Sequence, residues 1–238
     1  MDGFTRTLGG IEGGRVLDVA TGGGGFVAAL AEHLASFDSI TGVDTIEKAI
    51  KAANEKNEDR RIEFTVGDAA NLEFADGAFD TVAIANSLHH MERLDSVFHE
   101  MLRVLRPGGK LIVFEMYRDG QNEPQQTHVD LHHWWAVIDT ARGVYHRETY
   151  TREELVRMLA ALPVAELEVA DYADTDADPL AEETLAHIEK AIDHYIERAK
   201  EAEGQDVDDL VARGEDLRDR ARRVGFLGAT HIVAVATK

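Results

Sequence analysis

Three carboxylates and one run of glycines carry the first chemical signal in this chain. Asp18 stands near the carboxyl end of a short apolar run, Val16-Leu-Asp-Val19. Gly22 to Gly25 follow at once, and Phe26-Val-Ala-Ala-Leu30 opens a helix. A strand, a glycine turn and a helix start bring backbone N–H groups and a helix dipole to one point, and glycine lets a ligand approach the backbone closely. A nucleotide-like ligand is the natural occupant. Gly23, Gly25 and Ala28 satisfy the G-x-G-x-x-G/A spacing of dinucleotide sites, and Asp44 lies about 20 residues on, where a ribose-binding acid is expected. Taken alone, this pattern suits NAD equally well. Asp68, in Val66-Gly-Asp-Ala69, is a third carboxylate at the end of a strand-like run.

Histidine is the second signal. His89 and His90 are adjacent, and a histidine can take a proton near neutral pH. A later segment holds His128, Asp130, His132, His133, Trp134 and Trp135. His128 and His132 are four residues apart, so on a helix they share a face and could chelate a metal. No H-E-x-x-H pattern or cysteine pair accompanies them. Leu131, Trp134, Trp135 and Ile138 form the apolar stripe of that helix. The reading therefore expects no metal. It expects a lid helix that packs its tryptophans and lines a pocket edge with His128, His132 and Trp135. Tyr145, His146 and Tyr150 close the same segment as further polar groups.

These residues need a scaffold, and the hydrophobic pattern supplies one. Strands are expected at Val16–Val19, Ile40–Asp44, Ile62–Val66, Phe79–Ala85, Leu111–Glu115, Glu166–Ala170 and Thr230–Lys238. Helical spacing between them predicts Phe26–Leu34, Ile46–Ala53 capped by Thr45, and Leu94–Leu105. Thr151-Arg-Glu-Glu154 reads as a capping box for a helix through Leu162. Alternating strands and helices imply an α/β fold, a doubly wound and mostly parallel seven-stranded sheet. Two additions interrupt it, at about 119–150 and 174–225. The first contains a helix at Gln126–Arg142. The second reads as helices at Pro179–Glu203 and Val207–Arg223, without strong caps. A ligand of an open parallel sheet binds outside the carboxyl ends of the strands. Both additions are therefore expected over that end, roofing a substrate pocket.

The 238 residues carry 45 acidic and 25 basic side chains, a formal charge of −20. Such a surface repels phosphate backbones and anionic lipid, which argues against nucleic-acid and membrane partners. Cysteine is absent, which excludes disulfides, thiolate metal sites and a cysteine nucleophile. No apolar run reaches the ~20 residues of a membrane span. A soluble cytoplasmic protein with one domain over 1–238 is the plain expectation.

From residue 14 to 118, the order Val16–Phe26, Asp44, Asp68 and Leu105-Arg-Pro-Gly-Gly-Lys-Leu111 resembles the class I S-adenosylmethionine-dependent methyltransferases. The likeness is to the small-molecule group that includes the ubiquinone/menaquinone-biosynthesis C-methyltransferases. Ala20 departs from the family by standing where many members have the first glycine of D-x-G-x-G-x-G. The resemblance implies a Rossmann-like methyltransferase core at about 14–118, 151–173 and 228–238. It implies S-adenosyl-L-methionine as cofactor and a small-molecule methyl acceptor. Asp18, with the backbone at Ala20, Gly22 and Gly24, would hold the methionine end of the cofactor. Asp44 would accept from the ribose hydroxyls and Asp68 from the adenine amino group, with Ala69 beside the ring. Asn86 would border the methionine moiety, His89 would face the acceptor, and His90 is the candidate base. Two other readings stay open: a nicotinamide-dependent oxidoreductase on the same glycine turn, and a non-catalytic cofactor-binding protein whose helical lid binds a partner.

Overall fold

The computed structural model describes residues 3–174, 176–202 and 206–238. In chain order the elements are α1 (Gly3–Leu8), β1 (Arg15–Val19), α2 (Gly25–His33), β2 (Ser39–Asp44), α3 (Glu47–Lys56), β3 (Ile62–Val66) and β4 (Phe79–Ala85). A single 3-10 turn, Leu88–His90, precedes α4 (Leu94–Val104) and β5 (Leu105–Met116). Then follow α5 (Glu123–Ala141), α6 (Arg152–Ala160), β6 (Ala165–Tyr172), α7 (Glu182–Ala199), α8 (Val207–Val224) and β7 (His231–Thr237). The chain divides into two compact units. The first is Met1–Glu115, Val156–Tyr172 and Ile232–Lys238; the second is Met116–Leu155 and Ala173–His231. The segments read as additions lie in the second.

The first unit is built on one seven-stranded sheet of order β3-β2-β1-β4-β5-β7-β6. Its centre is apolar on consecutive residues because both faces are covered: Val16, Leu17 and Val19 of β1 are fully buried, as are Val82, Ala83 and Ile84 of β4. β1 pairs in parallel with β2, Val16 opposite Ile40, and with β4, Val16 opposite Thr81. β2 pairs with β3 and β4 with β5, both in parallel. At one end of β7 the Gly108 amide donates to the Lys238 carbonyl, and at the other the Tyr117 amide donates to the Thr230 carbonyl. Rising numbers on β5 thus meet falling numbers on β7, so β7 is antiparallel. This is the doubly wound, mostly parallel seven-stranded sheet that the alternation of strands and helices predicts.

The second unit is helical. Leu131, Trp134 and Ile138 of α5 pack with Ile188, Ile192 and Ile196 of α7 and with Leu210 and Leu217 of α8. Trp134 is fully buried, and its indole N–H donates to the Leu210 carbonyl at 3.0 Å. Gly214 makes room for it, since a Cβ there would lie 2.6 Å from the Trp134 ring.

Several local expectations change. α1 has no strong periodicity and is not anticipated, yet Phe4 and Leu8 are buried in the core of the first unit. Thr45 does not cap α3; the helix starts one residue later, and Asp44 Oδ1 accepts from the Ile46 amide at 2.9 Å. α5 begins at Glu123 because Asn122 and Gln125 form a capping box with Pro124 in the first turn. α7 begins at Glu182 rather than Pro179, and the expected end at Glu203 lies outside the described residues. α8 does have a cap: the Asp206 side chain accepts from the Asp209 amide. The Thr151–Glu154 box forms as read.

Candidate functional site

The end of β1 turns through residues 20–24 in a conformation few sequences adopt. Ala20 (φ +56°), Gly22 (φ +53°) and Gly24 (φ +83°) are all left-handed. Glycine takes this region freely, whereas alanine is strained there by roughly 1–2 kcal/mol. Gly24 is also fixed by packing, since a Cβ would sit 2.7 Å from the Phe64 ring. Gly22, Gly23 and Gly25 face open space: nothing lies within 4 Å of a Cβ built on any of them. That is the room a ligand approaching the backbone requires.

Asp18 lies under this turn and is 1% exposed. Neither of its carboxylate oxygens has a hydrogen-bond partner among the described residues, and the buried Thr21 hydroxyl also lacks one. Burial pushes the Asp18 carboxyl up to about 7, and the Asp44 charge raises it further. A buried carboxylate without donors is costly, and such orphans call for a missing partner. Asp44 is already engaged: Oδ2 accepts from the Gly22 amide at 2.8 Å and Oδ1 from the Ile46 amide. The Gly24 amide donates to the Thr21 carbonyl at 2.9 Å. The N–H groups of Gly22 and Gly24 therefore build the turn itself. Gly23 and Gly25 are exposed beside them.

Asp68, after β3, accepts from the Ala70 amide through Oδ1 and pairs with Arg93 through Oδ2 at 2.7 Å. Ala69 beside it is buried. Arg93 was missed by the sequence reading and gives no local signal. Asn86, just past β4, is left-handed (φ +46°) and exposed, its amide held by the Phe114 carbonyl at 2.8 Å.

The next two residues of interest separate. His89 is fully buried, and its Nδ1 lies 2.6 Å from Glu115 Oε1. The other Glu115 oxygen accepts from the Ser87 and Leu88 amides at 3.0 and 2.9 Å. His90 is exposed, its ring 4.4 Å from that of His89. Glu115 was also missed; the signal available was one acid ending the apolar run Leu111-Ile-Val-Phe.

In the second unit the histidines pair across the chain instead of along α5. His128 Nδ1 accepts from the Ala229 amide at 2.9 Å. His132 Nε2 faces His146 Nε2 at 3.1 Å, and His146 Nδ1 lies 2.9 Å from Asp139 Oδ2. Tyr195 donates to the same Asp139 oxygen, and Arg198 pairs with the other. Burial opposes ionisation of Asp139, but the hydrogen bonds from His146 and Arg198 outweigh it and hold the carboxyl below its ordinary value. Trp135 stacks on Tyr195 at 5.1 Å, and its buried indole N–H has no partner among the described residues.

Residues 17–113 match the family model described as "Methyltransferase domain". The Ubiquinone/menaquinone biosynthesis C-methyltransferase UbiE of Pseudomonas entomophila (strain L48) is 38% identical over 117 residues, 47% of this chain and 46% of that protein. A Demethylmenaquinone methyltransferase of Porphyromonas gingivalis is 36% identical over 107 residues, 43% of this chain and 44% of that protein. The chain spans about half the length of the curated relatives it matches. Phosphoethanolamine N-methyltransferase 2 of Haemonchus contortus, solved in complex with S-adenosyl-L-methionine, shares the fold with a TM-score of 0.59 at 21% identity. That similarity covers 99% of this chain and 51% of the other. Among the described residues no helix is long and apolar enough to cross a membrane. Residues 17–113 are thus similar to a methyltransferase domain, and the fold is shared with a solved methyltransferase.

Proposed function

We propose that this protein transfers a methyl group from S-adenosyl-L-methionine to a small-molecule acceptor, releasing S-adenosylhomocysteine. The observation that carries this reading is the pair of Asp18 oxygens without a partner among the described residues, beneath a turn in which Gly22, Gly23 and Gly25 face open space. The donor chemistry of a methionine ammonium fits that carboxylate, and the open backbone of Gly23 and Gly25 fits a close-lying cofactor. The cofactor supplies a methyl group already activated on a sulfonium. The chain supplies position and desolvation. Asp18 holds the methionine end. Asp44 keeps the turn shaped through Gly22 and offers its remaining lone pairs to ribose hydroxyls. Asp68, with Ala69 beside it, accepts from the adenine amino group, and Asn86 borders the methionine moiety.

For the acceptor, the first unit has a cavity of about 440 Å³ whose lining includes Phe4, Phe26, Phe114 and Tyr172, with Asn86 and His33 as polar points. Among the described residues no carboxylate or guanidinium lines it, which favours an uncharged, largely apolar acceptor. His90, exposed beside the end of β4, is the group that would take the acceptor proton. His89, held by Glu115, keeps that turn in place. His128, His132 and Trp135 stay as proposed acceptor contacts, and the Trp135 indole N–H, which has no partner among the described residues, offers a donor.

Calorimetric titration of the purified chain with S-adenosylmethionine, S-adenosylhomocysteine and NAD tests the reading. The expected result is binding of both sulfur nucleosides and little heat with NAD. Tight NAD binding with no response to either would overturn it in favour of an oxidoreductase. Release of S-adenosylhomocysteine with a panel of uncharged small acceptors then tests transfer. Cofactor binding without turnover on any acceptor would favour a binding protein.

A further inference from the structure

The i, i+4 pair that the sequence offers for metal binding is not the pair that the fold prepares. His128 and His132 stand edge-on with ring centroids 6.3 Å apart. The Nδ1 lone pair of His128 already accepts from the Ala229 amide. His146, fourteen residues beyond His132, takes its place. It is buried on the segment after α5, and its Nε2 lies 3.1 Å from His132 Nε2.

The far nitrogen of His146 is held by a carboxylate. Asp139 Oδ2 lies 2.9 Å from His146 Nδ1, so this nitrogen carries the hydrogen and Nε2 presents a lone pair toward His132. Asp139 is itself fixed by the Tyr195 hydroxyl and the Arg198 guanidinium. A carboxylate on the outer nitrogen of an imidazole is the arrangement that orients metal-binding histidines.

We propose that His132 and His146 bind one divalent transition-metal ion of the zinc class through their Nε2 atoms, with Asp139 as the outer carboxylate that orients His146. Two nitrogens each about 2.0–2.1 Å from such an ion lie about 2.9–3.4 Å apart for angles between 90° and tetrahedral. The observed 3.1 Å falls inside that interval. His132 is only half-buried, which gives the ion a way in. Two ring nitrogens fill half of a four-coordinate shell and leave the other positions to oxygen or nitrogen donors. The competing arrangement is a single proton shared between the two imidazoles. Neither arrangement depends on the methyl-transfer reading.

The test uses the full chain, purified without a histidine tag, stripped with chelator and dialysed. It is titrated with Zn²⁺ by calorimetry and with Co²⁺ by visible absorption, and its thermal midpoint is read with and without Zn²⁺. One Zn²⁺ per chain and a raised midpoint are expected, with His132→Gln binding at least tenfold more weakly and His128→Gln unchanged. Asp139→Asn should lose about 10–100-fold in affinity, the usual effect of an outer partner. His132→Gln is the decisive variant, since the half-buried position tolerates it, whereas Asp139→Asn also disturbs Arg198 and Tyr195. Circular dichroism confirms that each variant is folded. Absence of stoichiometric binding by the folded wild-type chain would overturn the proposal. So would equal affinity in the wild type and His132→Gln, or a loss in His128→Gln as large as in His132→Gln.

Discussion

Asp44, the last residue of β2, holds the amide of Gly22: its Oδ2 accepts that N–H at 2.8 Å, from a residue 22 positions earlier in the turn after β1. The same carboxylate accepts from the Ile46 amide and starts α3. One acid thus shapes both the glycine turn and the following helix.

Asp44→Ala is expected to remove two charge-assisted hydrogen bonds as well as the proposed ribose contact. A bond of that kind contributes ~1.5–3 kcal/mol. Affinity for S-adenosylhomocysteine should fall at least tenfold by calorimetry, together with a measurable loss of stability. Asp44→Asn retains one acceptor oxygen and should lose less. Unchanged affinity in Asp44→Ala would remove this residue from the cofactor site.

Asp18 predicts a pH dependence of the ligand-free protein. Its carboxyl is pushed by burial from 3.8 to about 7, so between those values the folded chain keeps a proton that the unfolded chain has lost. Stability therefore falls as pH rises through this window, by roughly 4 kcal/mol at the limit. Urea unfolding at about pH 5 and about pH 8 reads the difference, and Asp18→Asn should abolish most of it. A cationic ligand group beside Asp18 restores the anion. Cofactor binding near pH 6 should then release a proton, visible as a buffer-dependent heat.

The glycine turn separates packing from binding. Gly24→Ala places a Cβ 2.7 Å from Phe64 at φ +83° and should cost about 1–3 kcal/mol of stability. Gly23→Ala meets nothing within 4 Å and should stay within about 0.5 kcal/mol of wild type while weakening cofactor binding. Ala20→Gly relieves a left-handed alanine and should raise stability by up to about 1 kcal/mol. Unfolding curves and calorimetry on the three variants give both readings.

His90 and Glu115 should fail in different ways. His90→Ala changes an exposed side chain, so stability should move by less than about 0.5 kcal/mol. Turnover should fall by about 10²–10⁴-fold if His90 is the base. Glu115→Ala removes a buried acid from three hydrogen bonds, which should cost on the order of 3–5 kcal/mol. Full turnover in His90→Ala would move the base elsewhere.

What could be read from the sequence was local. The strand ending in Asp18, the glycine turn and the alternation of later strands are patterns within one or two dozen residues. The sheet is assembled from those pieces in a few permitted ways. The histidine site was not legible, because His146 lies in a segment without regular structure and meets His132 only through tertiary packing. Glu115 is, by sequence, only the last residue of an apolar strand, whereas the fold buries it against His89. Thr45 is a plausible cap by residue type, yet Asp44 also reaches the helix start and accepts there instead.

The order of the strands sets a schedule for synthesis. β3, β2, β1, β4 and β5 are complete by Met116 and can pair among themselves as soon as they emerge. β7, which sits between β5 and β6, is not made until residue 231. Throughout that interval β5 waits with one edge unpaired, a template for any stray strand. The nascent chain is therefore most vulnerable to aggregation while its helical unit is being translated, and slowing translation through residues 116–230 should lengthen that exposure.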